Sequence, residues 1–166
     1  MTVYLDMDGV LADFFGKVEE VYHVDHWKEL NMDVVIAKIQ NTNFFLKLDA
    51  FPTASKLVRE VENMTAGDWG ICSSPLRGDH FNSAYWKRRW LEERDFIPRD
   101  WKKLVFAPNK EKYARAPFTG KPNILVDDKY SNVDKFTDAG GIAIRYQANE
   151  DSLEYVLERI ETSLHS

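Results

Sequence analysis

The chain has 166 residues, of which 44% are hydrophobic and 30% charged, a formal net charge of −5 and one cysteine, Cys72. That composition suits one soluble domain with a real core, and it excludes an intrachain disulfide and a cysteine-built zinc site. The acidic balance argues against a nucleic-acid polymer as partner, no apolar run approaches the roughly 20 residues of a membrane helix, and the start lacks a secretory pattern, so a cytoplasmic protein with no membrane partner is expected.

Residues 2–6 read as the first strand, and residues 11–22 as a helix with Phe14, Phe15, Val18, Val21 and Tyr22 at helical spacing. Residues 23–48 lack strand signals; Trp27, Leu30, Val34, Val35, Ile36 and Ile39 suggest one or two small helices there. Residues 14–50 are thus expected to form a helical insertion after the first strand. Thr53 is a plausible cap for a helix over 54–65, whose core-facing stripe is Ala54, Leu57, Val58, Val61 and Met64. A short strand over 69–72 stops at Ser73-Ser74-Pro75, and a helix over 80–94 follows. Its Trp86 and Trp90 read as core, and its Lys87-Arg88-Arg89 run as a solvated face. Strands over 104–107, 124–126 and 142–146, a short helix over 131–138 and an amphipathic helix over 151–163 complete the chain. Short apolar strands alternating with helices imply a parallel sheet covered on both faces.

In such sheets ligands bind outside the carboxyl ends of the strands. Asp6 and Asp8, Ser73 and Ser74, Lys110, and Asp127 and Asp128 all lie at or just past the ends of four strands. Taken singly, Ser73-Ser74-Pro75 reads as a turn, Lys110 as a surface lysine and Asp127-Asp128 as acids at a helix start. Together they fit phosphate-ester cleavage, in which a nucleophile attacks phosphorus while the developing charge is neutralised. Asp6 suits the nucleophile and Asp8 the acid/base. Mg²⁺ suits the acids, with Asp6, the backbone carbonyl of Asp8 and Asp127 as its expected ligands, because it prefers hard oxygen donors. Ser73 or Ser74 can donate to phosphoryl oxygens, and Lys110 can add positive charge. The four histidines, His23, His26, His80 and His165, have no metal-site spacing.

The order Asp6-Met7-Asp8-Gly9-Val10, Ser73-Ser74-Pro75, a lone lysine and Val126-Asp127-Asp128 resembles the four motifs of the haloacid dehalogenase (HAD) superfamily, in its phosphatase branch. Residues 6–14, Asn43-Phe44-Phe45, Phe51-Pro52, 71–75, Asn109-Lys110 and 124–128 resemble the 5′(3′)-deoxyribonucleotidases more closely, so the likeness spans essentially the whole chain. The resemblance implies an α/β fold of the three-layer α/β/α (Rossmannoid) kind, a single HAD-like domain over 1–166. Its core would be 1–13 and 51–166, with a small helical cap at roughly 14–50. It further implies a Mg²⁺-dependent hydrolase of (deoxy)nucleoside monophosphates with Asp6 as nucleophile and Asp8 as acid/base. Ser73 stands where the family usually has Thr, and Ser74 matches its phosphate-binding Ser. Lys110 matches the motif III lysine, with Lys112 as fallback, and Asp127 precedes Asp128 as the choice for metal carboxylate. Phe14 and Phe44 match positions lining the nucleoside pocket. Arg77 falls near a basic position close to the phosphate, in a local sequence that departs from the family's pattern. The rival readings are a phosphatase for another small phosphomonoester and a non-catalytic nucleotide- or phosphate-binding module. The oligomeric state, a homodimer included, stays open.

Overall fold

The computed structural model describes residues 1–166. Five short strands form one parallel sheet: β1 Val3–Leu5, β2 Trp69–Ser73, β3 Leu104–Phe106, β4 Ile124–Asp127 and β5 Ile142–Arg145, in the order β3-β2-β1-β4-β5. Every residue of β1, β2 and β4 is buried, as expected of inner strands covered on both faces. The chain leaves β1 toward β2 and β3, then returns past β1 to build β4 and β5. The order therefore reverses between β1 and β4, which is where parallel α/β sheets open a crevice.

Six α-helices cover the sheet: α1 Phe14–Tyr22, α2 Met32–Ile39, α3 Ala54–Thr65, α4 His80–Glu93, α5 Tyr130–Asp138 and α6 Leu153–Leu164. Alternate strand residues point to opposite faces. Val3, Leu5, Ile71, Ile124 and Val126 join the larger apolar cluster with Leu57 and Val61 of α3, Trp90 and Leu91 of α4, and Val156 and Ile160 of α6. Tyr4, Cys72, Val105 and Leu125 join a second cluster with Phe136 of α5. The protein is thus a three-layer α/β/α molecule.

Between β1 and α3 lie α1, α2 and two 3₁₀ turns, Trp27–Glu29 and Phe44–Lys47. Phe14, Val18, Val35, Ile39, Phe44 and Phe45 bury this segment's apolar side in the larger cluster. Polar bonds tie its far end to the chain after β2. Asp79 accepts from the Asn41 backbone N–H at 2.9 Å, Gln40 donates to the Arg77 carbonyl at 2.8 Å, and Asn82 donates to the Thr42 carbonyl at 3.0 Å. The Trp90 indole donates to the Leu48 carbonyl at 2.7 Å.

One helix start and one helix cap differ from the sequence expectation. The first helix starts at Phe14, not at 11, because the N–H groups of Leu11 and Ala12 both turn back to the Met7 carbonyl, at 2.8 and 2.9 Å. Asp13 then caps the helix by accepting from the Gly16 N–H. Thr53 occupies the cap position of α3 but makes no side-chain capping bond.

Candidate active site

The apolar run of β1 ends at Leu5, and Asp6 follows at once. Leu5 is in register with Val126, and the Asp6 N–H donates to the Val126 carbonyl at 2.9 Å. Asp6 and Asp127, the last residue of β4, therefore leave adjacent strands side by side at the crevice. Lys110 begins the 3₁₀ turn that follows β3 and reaches back between them. Its Nζ lies 2.9 Å from Asp6 Oδ1 and 2.6 Å from Asp127 Oδ2, with the side chain 2% exposed. Burial pulls this ammonium toward deprotonation, but the carboxylates of Asp6 and Asp127 outweigh that pull and raise its pKa. Burial, then the charge of Asp127, pushes the Asp6 pKa up, against the opposing pull of Lys110.

Asp127 is fully buried, and its remaining valence is met by the Lys129 N–H at 2.9 Å and by the Asn132 amide at 3.1 and 3.3 Å. Asp128 lies beside it. Its carboxyl is pushed up to about 7 by burial first, then by the charges of Asp127 and Asp8. Gly9 makes room for it: a Cβ at Gly9 would stand 2.1 Å from Asp128 Oδ2, and its φ of +83° lies where other residues are strained. The turn from Asp6 to Gly9 thus works as expected, and its glycine also admits a second acid from β4.

Ligand oxygens of Asp6, Asp127 and Asp128 all lie within 4.8 Å of one another. With Asp8, four carboxylates face two buried ammonium groups, Lys110 and Lys87, which leaves a formal charge of −2. A divalent cation held by oxygen donors fits that deficit. Asp127 and Asp128 both stand in the cluster. Lys110, not Lys112, is the lysine among the acids; Lys112 is exposed.

Ser73 ends β2 and is fully buried, and Ser74 follows it. Behind them sits a residue that the sequence reading placed in solvent. Lys87, on α4, is 1% exposed and donates to Asp8 Oδ2 at 2.9 Å, to Ser73 Oγ at 3.0 Å and to the Ser74 carbonyl at 2.6 Å. Only Arg88 and Arg89 of that basic run face water. The correction has a helical cause: Ser83, Lys87, Trp90 and Leu91 recur every three or four residues and form the buried stripe of α4. That spacing was the available signal; Asn132 had none.

The other expected site residues lie as follows. Phe14 and Phe44 are buried, with ring centroids 5.7 Å apart, and Phe45 stacks on Phe14 at 5.8 Å. Arg77 is exposed and pairs with Asp33 of α2 at 2.6 Å, so the structure does not bring it to the lysine–carboxylate cluster.

A family model described as "5′ nucleotidase, deoxy (Pyrimidine), cytosolic type C protein" matches residues 1–157. Two solved structures share the fold. A HAD family hydrolase from Deinococcus radiodurans R1, with bound phosphate and sodium, is 14% identical over 96% of this chain and 87% of that one, with a TM-score of 0.51. A hydrolase from Pseudomonas syringae is 14% identical over 95% of this chain and 88% of that one, again with a TM-score of 0.51.

Proposed function

The chain belongs to the family described as 5′ nucleotidase, deoxy (pyrimidine), cytosolic type C protein, and from that membership we propose that it hydrolyses (deoxy)nucleoside monophosphates through an aspartyl-phosphate on Asp6, with Mg²⁺ as cofactor. As a phosphatase of a nucleotidase family it is an enzyme, which sets aside the reading as a non-catalytic binding module.

The observation that carries the proposal is the bridge of Lys110 between Asp6 and Asp127, with Asp128 alongside, at the point where the strand order reverses. The Asp6 oxygen not held by Lys110 and the Met7 N–H attacks phosphorus. The phosphorus–ester oxygen bond breaks, and Asp8 gives its proton to the departing nucleoside oxygen. In the second half Asp8 takes a proton from water, whose oxygen attacks the same phosphorus. The Asp6–phosphorus bond breaks, and inorganic phosphate leaves. Asp6, Asp127, Asp128 and the Asp8 carbonyl would hold Mg²⁺, which when bound supplies positive charge against the phosphoryl oxygens. The Ser73 and Ser74 hydroxyls donate to those oxygens, and Lys110 limits the repulsion between the phosphate and Asp6.

The 14–50 segment is proposed as a cap that excludes water, with Phe14 and Phe44 toward the nucleoside. Arg77 reaches a phosphate only if its pair with Asp33 opens. The family is described as cytosolic, and no helix is long and apolar enough to cross a membrane; a cytosolic location is part of the proposal.

The test is phosphate release from a panel of 5′- and 3′-(deoxy)nucleoside monophosphates, with and without Mg²⁺, against sugar phosphates and p-nitrophenyl phosphate. Mg²⁺-dependent release that favours deoxynucleotides supports the proposal. Equal release from sugar phosphates would contradict the nucleotide assignment and keep the phosphatase.

A further inference from the structure

Lys87 is held by three acceptors from three parts of the chain: Asp8 Oδ2 after β1, Ser73 Oγ at the end of β2, and the Ser74 carbonyl. An ammonium has three N–H donors, so all are committed. The Phe45 ring lies on another side, its centroid 4.7 Å from Nζ. This ammonium therefore has no donor left for a phosphate oxygen, unlike a lysine whose task is to bind substrate. Its effect falls on its acceptors. Asp8 Oδ2 is occupied, while Asp8 Oδ1 is buried with no hydrogen-bond partner. A buried acceptor left without a donor is costly, a cost removed when a proton arrives there. Ser73 Oγ accepts from Lys87, which leaves its own O–H free to donate forward.

We infer that Lys87 is a positioning residue: it fixes Asp8 by one oxygen so that the other, Oδ1, is the one that hands a proton to the leaving group, and it turns the Ser73 hydroxyl outward as a donor. The inference rests on the reading of Asp8 as the acid/base. It differs from a structural role in what it predicts about leaving groups. A nucleoside departs as an alkoxide and needs the proton; p-nitrophenolate departs without one.

The experiment compares the first chemical step under single-turnover conditions, read as nucleoside release from a deoxynucleoside monophosphate and as nitrophenol release from p-nitrophenyl phosphate. Lys87→Met is expected to slow nucleoside release by about 100-fold or more, the range of a lost general acid. Nitrophenol release should slow by less than about 10-fold on the same scale, and KM for the nucleotide should change little. Asp8→Asn is the control and should show the same split. If Asp8→Asn slows both substrates alike, the acid/base reading of Asp8 fails, whatever Lys87 does. If Asp8→Asn shows the split and Lys87→Met slows both alike, or only raises KM, the inference is overturned and Lys87 is a phosphate contact or a scaffold. Circular dichroism checks the fold. If Lys87→Met does not fold, Lys87→Gln, which keeps a neutral donor, is read by the same comparison.

Discussion

Lys110 holds two carboxylates on one ammonium while lying almost wholly out of water. Removing one partner of a buried ion pair costs about 3–5 kcal/mol because a charge is left behind without compensation. Lys110→Met strands both Asp6 and Asp127, so urea unfolding should show a loss of that size without metal, and Mg²⁺ should restore part of it. No recovery with Mg²⁺ would mean that the acids do not share an ion. Gly9→Ala meets two obstacles, its φ of +83° and the Asp128 carboxylate. The left-handed conformation alone costs about 1–2 kcal/mol for a residue with a Cβ. Titration calorimetry should also show weaker Mg²⁺ binding, because Asp128 must move. Unchanged stability and affinity would contradict this packing. These acids were legible because they gather at the ends of separate strands, although each taken singly has an ordinary reading, and Lys110 because it resembles the lysine of the family's third motif. Lys87 was not. It sits beside Arg88 and Arg89, and only the turn of α4 separates its buried position from theirs.

The elements were legible where apolar spacing is long and regular, as in α3, whose bounds of Ala54–Thr65 match the expected 54–65. Their ends were less so, because backbone bonds decide them. The Met7 carbonyl draws in Leu11 and Ala12 and delays α1, a choice that no periodicity records. The latch between the 14–50 segment and α4 was also hidden, since it pairs residues about 40 positions apart. Asp79 accepts there from the Asn41 N–H and from the Asn82 amide, both at 2.9 Å. Asp79→Ala should cost about 1–3 kcal/mol in thermal or urea unfolding; a loss below that range would mean the latch does not hold the segment. At the start of the sheet, Thr2 Oγ1 donates to Asp68 at 2.7 Å, and Lys103 pairs with the same carboxylate. Burial works to raise the Asp68 pKa, but the hydrogen bonds from Lys103 and Thr2 outweigh it and hold it below the usual value. An acid lowered in the folded state adds stability above its unfolded pKa and loses it as pH falls through the folded one. Asp68→Asn should therefore cost about 0.5–1 kcal/mol at pH 7, a range kept small by solvent screening. The gap from wild type should close below about pH 4, near and under the ordinary aspartate pKa; a gap that persisted at low pH would assign the effect to packing.

The whole molecule brings one site together from five separate stretches: the ends of β1, β2 and β4, the turn after β3 and the inner face of α4. The order β3-β2-β1-β4-β5 puts β1 in the middle, so residues from both halves of the chain converge on Asp6. A ligand that binds only the folded state stabilises it by about 2.7 kcal/mol at 100 times its Kd. Saturating Mg²⁺ should thus raise Tm by several degrees, and Asp127→Asn should remove most of the rise; an equal rise in that variant would place the ion elsewhere. The covalent bond on Asp6 is tested by rapid quenching during turnover of a deoxynucleoside monophosphate labelled in its phosphate. The expected result is one protein-bound phosphate, stable in acid and released by hydroxylamine, which fragmentation by mass spectrometry assigns to Asp6 and which is absent in Asp6→Asn. Full turnover with no bound phosphate at any quench time, or turnover that survives in Asp6→Asn, would contradict it and point to direct attack by water.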